Sequence, residues 1–247
     1  MRLGLTLLLL ASLSFPAGAD EREITVAVAS NFTDAAETIA REFERERGIP
    51  VLLSFGSTGK HYAQIVQGAP YDAFLAADVR RPELLETEGR TLPGSRFTYA
   101  IGKLALWSTR PDLVDSEGAV LATDRFRFVS LANPRLAPYG KAAEEVLSEL
   151  GLWEELQQRM VLGSNISQAF HFVSSGNAEL GFVALSQIRR PGREKAGSFW
   201  LPPQALYDRI EQQAVLLTDR PGARAFVDYL RSDPARELIR DFGYEVP

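Results

Sequence analysis

From Glu23 onward, short apolar runs rich in β-branched residues alternate with stripes of helical period, and no other feature constrains the fold as strongly. Ile24–Ala29 reads as a strand. Phe32, Ala35, Ala36, Ile39, Ala40 and Phe43 then recur at i, i+3, i+4 spacing, which predicts a helix stopped by Gly48. Asn31 is placed as its N-cap, with Asp34 adding favourable charge to the first turn. A second strand is expected at 51–55, a helix at 60–67, a third strand at 73–76, and a helix capped by Asp78 running to about residue 88. This βαβαβα order is the mark of a parallel sheet with helices on its faces.

The rhythm changes at 97–107, a longer apolar stretch without helical period, expected to be a crossover strand. A second α/β unit follows: strand 127–131, helices 140–150 and 166–175, and strand 180–185. Residues 189–195, with Pro191 and Gly192, read as a surface loop. Residues 210–217 read as a returning strand, and helices at 222–230 and 234–242 finish the chain. Two α/β units joined by long strands, with the end returning to the first, describe a two-lobed clamshell. The expected division is 20–99 plus 216–247 for lobe 1 and 100–215 for lobe 2.

Four loops of small polar residues each open a predicted helix: Ala29-Ser30-Asn31, Gly56-Ser57-Thr58-Gly59, Pro138-Tyr139-Gly140 and Ser164-Asn165-Ile166. The first turn of a helix leaves N–H groups without intrahelical partners and carries roughly half a positive charge. Several such ends meeting at one point would grip an anion with amides and hydroxyls alone. In open α/β sheets, ligands bind at the carboxyl ends of strands, where these loops fall.

Composition narrows the setting. Arg2, the apolar run 3–15 and Ala17-Gly18-Ala19 form an export signal spanning residues 1–19, cleaved near Ala19. That run is too short to span a bilayer as a helix. The chain has no cysteine, so neither a disulfide framework nor a lipid-modified N-terminal Cys is available. Export without anchor or disulfide points to a Gram-negative periplasm. The formal net charge of −5 would become −6 on cleavage, which disfavours nucleic acid and anionic lipid. Attraction of an anion must therefore be local.

Each candidate has a plainer alternative. Ser30 and Asn31 serve equally as helix caps, and Ser57 and Thr58 as an ordinary strand-to-helix turn. Tyr139 is either a ligand donor or a half-buried packing residue with a wet hydroxyl. Ile166 can offer only its backbone N–H. Lys60 and Lys141 could add positive field or simply be solvated. Gly59-Lys60 does not complete a nucleotide phosphate loop, which needs four residues between its glycines and Ser or Thr after the Lys. Asp72 and Asp78 could form an acid–base pair, but a turn residue and a helix cap account for them. His61 and His171 lack metal-ligand spacing, and no nucleophile elbow is visible. Trp107, Trp153 and Trp200 read as packing residues.

Taken in order, certain stretches of the chain resemble the periplasmic molybdate-binding proteins of molybdate ABC transporters. They are Val28-Ala29-Ser30-Asn31-Phe32, Ser54-Phe55-Gly56-Ser57-Thr58-Gly59-Lys60, Gly68-Ala69-Pro70-Tyr71, Ala76-Ala77-Asp78, the run 93–104 and Leu180-Gly181-Phe182-Val183-Ala184-Leu185. The resemblance covers essentially the whole mature chain. It implies a type II periplasmic binding protein: α/β, two-lobed, with a mixed sheet flanked by helices in each lobe, closing over a bare tetrahedral oxyanion. It further implies molybdate or tungstate as ligand with no cofactor, no direct protein–metal bond and no catalysis. An inner-membrane ABC permease is the implied partner, and a monomer is expected. By position, the implied contacts are Ser30, Asn31, Ser57 and Thr58 from one lobe, with Tyr139 and the Ile166 N–H from the other. One branch of the family has a ligand-binding Tyr where this chain has Ala184, and Tyr139 matches the other branch. Sulfate or phosphate is the competing ligand. An enzyme working through Asp72 or Asp78 is the competing class.

Overall fold

The structure is a computed structural model describing residues 23–190, 192–194 and 196–247; the expected export signal lies outside them. In chain order the strands are β1 (Ile24–Ala29), β2 (Val51–Gly56), β3 (Ala73–Leu75), β4 (Phe97–Gly102), β5 (Leu104–Ser108), β6 (Val129–Ala132), β7 (Met160–Gly163), β8 (Leu180–Ala184), β9 (Arg189–Arg190), β10 (Arg193–Glu194), β11 (Ser198–Trp200) and β12 (Ile210–Leu216). The helices are α1 (Thr33–Arg47), α2 (Thr58–Val66), α3 (Arg80–Thr87), α4 (Pro138–Glu149), α5 (Trp153–Leu156), α6 (Ile166–Ser174), α7 (Leu185–Ile188), α8 (Pro221–Tyr229) and α9 (Asp233–Asp241).

Two mixed sheets of five strands form the lobes, ordered β2-β1-β3-β12-β4 and β11-β5-β8-β6-β7. In the first, β1, β2 and β3 run parallel, while β12 is antiparallel to β3 and β4. In the second, β6 runs parallel to β7 and β8, while β5 is antiparallel to β8 and β11. The βαβ rhythm produced the parallel parts. The antiparallel strands are those by which the chain passes between lobes. A core of Phe32, Ile39, Phe43, Leu75, Tyr99 and Phe226 fills lobe 1, and one of Leu106, Leu131, Tyr139, Val146 and Phe182 fills lobe 2.

Several expectations are corrected. The stretch 97–107 is two strands in different sheets, with Lys103 between them. The whole of β4 and β12 lies in the first sheet, residues 100–102 and 210–215 included. The end of the chain joins that sheet through a bridge between Ile101 and Glu245. Residues 189–195 include a two-residue ribbon, β9 with β10, instead of loop alone. Strands β7 and β11 are not among the expected elements; each is short, and its sequence lacks a clear polar–apolar alternation.

Gly48 ends α1 as expected, with φ of 67° and its N–H bonded to the Glu44 carbonyl. Asn31 does not cap that helix: it lies inside a 3-10 turn, Ser30–Phe32, with its side chain drawn away to Gln212 and Tyr244. Ser57 is the N-cap of α2, its Oγ accepting from the Lys60 N–H at 3.3 Å. Trp107 is buried and stacked on Phe170, and Trp200 is buried against Gly118.

Candidate functional site

Register brings the four loops together. Ala29 pairs with Gly56 at the carboxyl ends of β1 and β2, so the 3-10 turn and the start of α2 emerge side by side. Ala132 pairs with Gly163 at the ends of β6 and β7, which sets the starts of α4 and α6 side by side in the other lobe. Close approach depends on glycine here: a Cβ on Gly140 would stand 2.2 Å from the Ala132 carbonyl oxygen. The lobes meet face to face. Ser167 Oγ donates to the Ser30 carbonyl at 3.0 Å, and the Gly59 N–H donates to the Leu136 carbonyl at 2.9 Å. Ser186 Oγ donates to the Asn31 carbonyl at 3.0 Å.

All six expected residues, Ser30, Asn31, Ser57, Thr58, Tyr139 and Ile166, are buried, none more than 5 % exposed. The hydroxyls of Ser57, Thr58 and Tyr139 share a pattern. Thr58 Oγ1 accepts from the Ala77 N–H at 3.1 Å, Ser57 Oγ from the Lys60 N–H, and the Tyr139 oxygen from Gln212 Nε2 at 3.3 Å. An oxygen that accepts from a protein N–H keeps its own proton for another partner. Burial pushes the Tyr139 hydroxyl well above its ordinary pKa, so that proton stays in place. Ile166 is the first residue of α6 and Thr58 the first of α2, positions whose N–H groups have no partner within the helix. Asn165 caps α6, accepting from the Gln168 N–H at 2.9 Å.

The Asn31 side chain is already engaged within the protein. Its Nδ2 donates both to Gln212 Oε1 at 2.8 Å and to the Tyr244 hydroxyl at 3.1 Å, so both amide hydrogens are engaged. The group it leaves for a ligand is its backbone N–H in the 3-10 turn. Gln212, Tyr99, Tyr244, Ser167 and Ser186 were not singled out from sequence. The signal for Gln212 was present in the polar run Glu211-Gln212-Gln213, which interrupts an otherwise apolar strand. Tyr244 and Ser186 gave none, since their roles depend on contacts across the fold.

The charged candidates have partners or exposure of their own. Lys60 and Lys141 are exposed, and Lys141 pairs with Glu144 at 2.9 Å. Asp72 sits before β3, at the end opposite the site, where it accepts from the Thr25 N–H, Thr218 and Arg220. Asp78 accepts from the Arg81 N–H at 3.0 Å and forms an ion pair with the Arg81 side chain. Both carboxylates are thereby engaged in structural hydrogen bonds and ion pairs. Beside the site, a cleft of about 460 Å³ opens between Ala77–Arg81 and Pro134–Ala142, its walls carrying both signs of charge. Among the described residues, no group of three or more His, Asp or Glu could hold a metal ion, and no helix is long and apolar enough to cross a membrane.

An arrangement of neutral donors suits a fully deprotonated anion. Residues 24–245 match the family described as bacterial extracellular solute-binding protein. The chain is 52% identical over 229 residues to the molybdate-binding protein ModA of Azotobacter vinelandii, covering 92% of this chain and 91% of that one. It is 47% identical to ModA of Rhodobacter capsulatus, covering 99% and 96%. The solved periplasmic molybdate-binding protein of A. vinelandii superposes with a TM-score of 0.89 at 44% identity, over 91% of this chain and 99% of the other.

Proposed function

We propose, for a chain that belongs to the bacterial extracellular solute-binding protein family and to its molybdate-binding members, that it captures molybdate, and tungstate with it, in the periplasm. The two lobes close over the oxyanion, and the closed form delivers it to an inner-membrane ABC permease. The observation that carries this reading is the shared pattern at Ser57, Thr58 and Tyr139, where each oxygen is supplied with a proton from the protein and its own proton remains to be donated.

In this reading Ser30, Ser57, Thr58 and Tyr139 contribute hydroxyls, while Asn31 and Ile166 contribute backbone N–H groups. Hydrogen bonds to a charged partner are worth roughly 1.5–3 kcal/mol each. Micromolar to nanomolar affinity needs about 8–12 kcal/mol net. About six or seven such bonds supply that after ordering and desolvation are met. The dianion needs no acceptor from the protein. Phosphate near neutral pH retains a proton and would want one, and sulfate, with shorter bonds to oxygen, fills a molybdate-sized cavity poorly. Closure follows because the ligand bridges donors from both lobes and so binds the closed state more tightly than the open one.

Calorimetric titration of the purified mature protein with molybdate, tungstate, sulfate and phosphate tests the reading. Submicromolar binding of the first two and none of the others is expected. Tight binding of phosphate would overturn the ligand assignment, and turnover of any anion would overturn the receptor role.

A further inference from the structure

The proposed site works only if its hydroxyls donate, and one residue outside the expected set governs the direction of one of them. We propose that Gln212 is a positioning residue: its side-chain amide, oriented by a relay that begins at the Asn31 backbone carbonyl, commits the Tyr139 hydroxyl to donating its proton to the bound anion. This rests on the oxyanion-receptor reading above.

The relay can be followed proton by proton. The Tyr244 hydroxyl oxygen lies 2.7 Å from the Asn31 carbonyl oxygen. A carbonyl has no proton, so the one between them is the tyrosine's own. Toward the Asn31 side chain, 3.1 Å away, the Tyr244 oxygen is therefore an acceptor, and Asn31 must present Nδ2. The same Nδ2 meets Gln212 at 2.8 Å, so the facing atom must be Oε1, which also takes the Tyr99 hydroxyl at 3.1 Å. That leaves Gln212 Nε2 facing Tyr139 at 3.3 Å, where it can only donate. The Tyr139 proton is barred from Gln212 and remains for the ligand.

The fold holds these groups in place. Gln212 pairs with Ala100 and Gln213 with Thr98, so Tyr99 is an extra residue in β4 opposite β12. Such a bulge re-aims side chains, and this one accompanies the meeting of Tyr99 with Gln212. The rings of Tyr99 and Tyr244 stand edge-on to Phe32 at 4.9 and 5.3 Å, which fixes where their hydroxyls fall. Gln212 itself is fully buried, a costly position for an amide unless both of its ends are bonded, as they are here.

The test is calorimetry with molybdate on the wild type, Tyr139→Phe, Gln212→Met and the double variant at pH 8. Each single change is expected to weaken binding about 10- to 100-fold, with the double variant no weaker than Tyr139→Phe alone, because the glutamine acts through the hydroxyl. Losses that multiply, or a Tyr139→Phe variant that binds like wild type, would overturn the positioning role while leaving the receptor reading intact. A wild type that binds no oxyanion would overturn both. Gln212→Glu provides a second readout and decides alone if Gln212→Met does not fold. Its carboxylate would take the Tyr139 proton, so binding should be lost at pH 8. It should return toward pH 5 as the carboxyl regains a proton to give to the Tyr139 oxygen, while the wild type stays level. Wild-type affinity in Gln212→Glu at pH 8, or loss without recovery in acid, would overturn the proposal.

Discussion

A Cβ atom built on Gly102 would stand 2.0 Å from the Tyr139 hydroxyl oxygen and 2.7 Å from Gln212 Nε2. The glycine is there for close approach, since any side chain would displace the tyrosine. Gly102→Ala is expected to retain the fold yet weaken molybdate binding at least about tenfold, the worth of one bond to a charged partner, as read by titration. His61 shows how a single buried group sets a response to pH. It lies against Gly56, with Nδ1 3.2 Å from Gln64 Oε1, and burial holds it below its ordinary value. The unfolded chain takes up a proton near pH 6.5 that the folded one refuses. Stability is therefore full above about pH 6.5 and falls as the pH drops from there to the lower folded value. Melting temperatures between pH 8 and 5 should fall in the wild type and fall less in His61→Gln; equal falls would remove His61 from the account.

Helix starts carry the proposed chemistry, and at α2 one side chain serves two ends. Ser57 caps the helix and, in the proposed site, donates to the anion. Ser57→Ala should cost about 1 kcal/mol of stability as well as affinity, whereas Ser57→Gly should cost only a few tenths, because glycine is tolerated as a cap. Affinity should fall alike in both, since each lacks the hydroxyl. Denaturant unfolding and calorimetry on the pair separate the two roles; equal loss of stability would show that the cap contributes little. At α1 the corresponding residue was diverted. A short polar residue before an apolar stripe reads as a cap from sequence, but the buried partners Gln212 and Tyr244 bind Asn31 instead. They lie 181 and 213 residues away along the chain, beyond the reach of any local pattern.

In the proposed receptor, closure would draw on contacts that never touch the ligand. Ser186 of lobe 2 bonds the Asn31 carbonyl and meets the Tyr244 hydroxyl at 2.9 Å, both in lobe 1. Removing that hydroxyl should shift the balance toward the open form by about 1 kcal/mol, which lowers apparent affinity about fivefold. Ser186→Ala should thus bind molybdate more weakly and show a larger radius by small-angle scattering without ligand; an unchanged affinity and radius would show that the bond adds nothing to closure. The passage between lobes follows the same logic of distance. The run 97–107 is mostly apolar on either side of Lys103 because β4 and β5 are both largely buried, and a single charged residue does not say locally that the strands flanking it join different sheets.

Local chemistry by itself determined the α/β alternation, the stop at Gly48 and the set of small polar loops at strand ends, because period, glycine and capping residues act over one or two turns of chain. Resemblance carried those loops to an oxyanion. What tertiary structure alone decided was the placing of the whole of β4 and β12 in the first sheet and the polar network of Tyr99, Gln212, Tyr244 and Asn31. Strand pairing and the direction of a buried proton depend on groups far apart in the chain, and those meet only when it is folded.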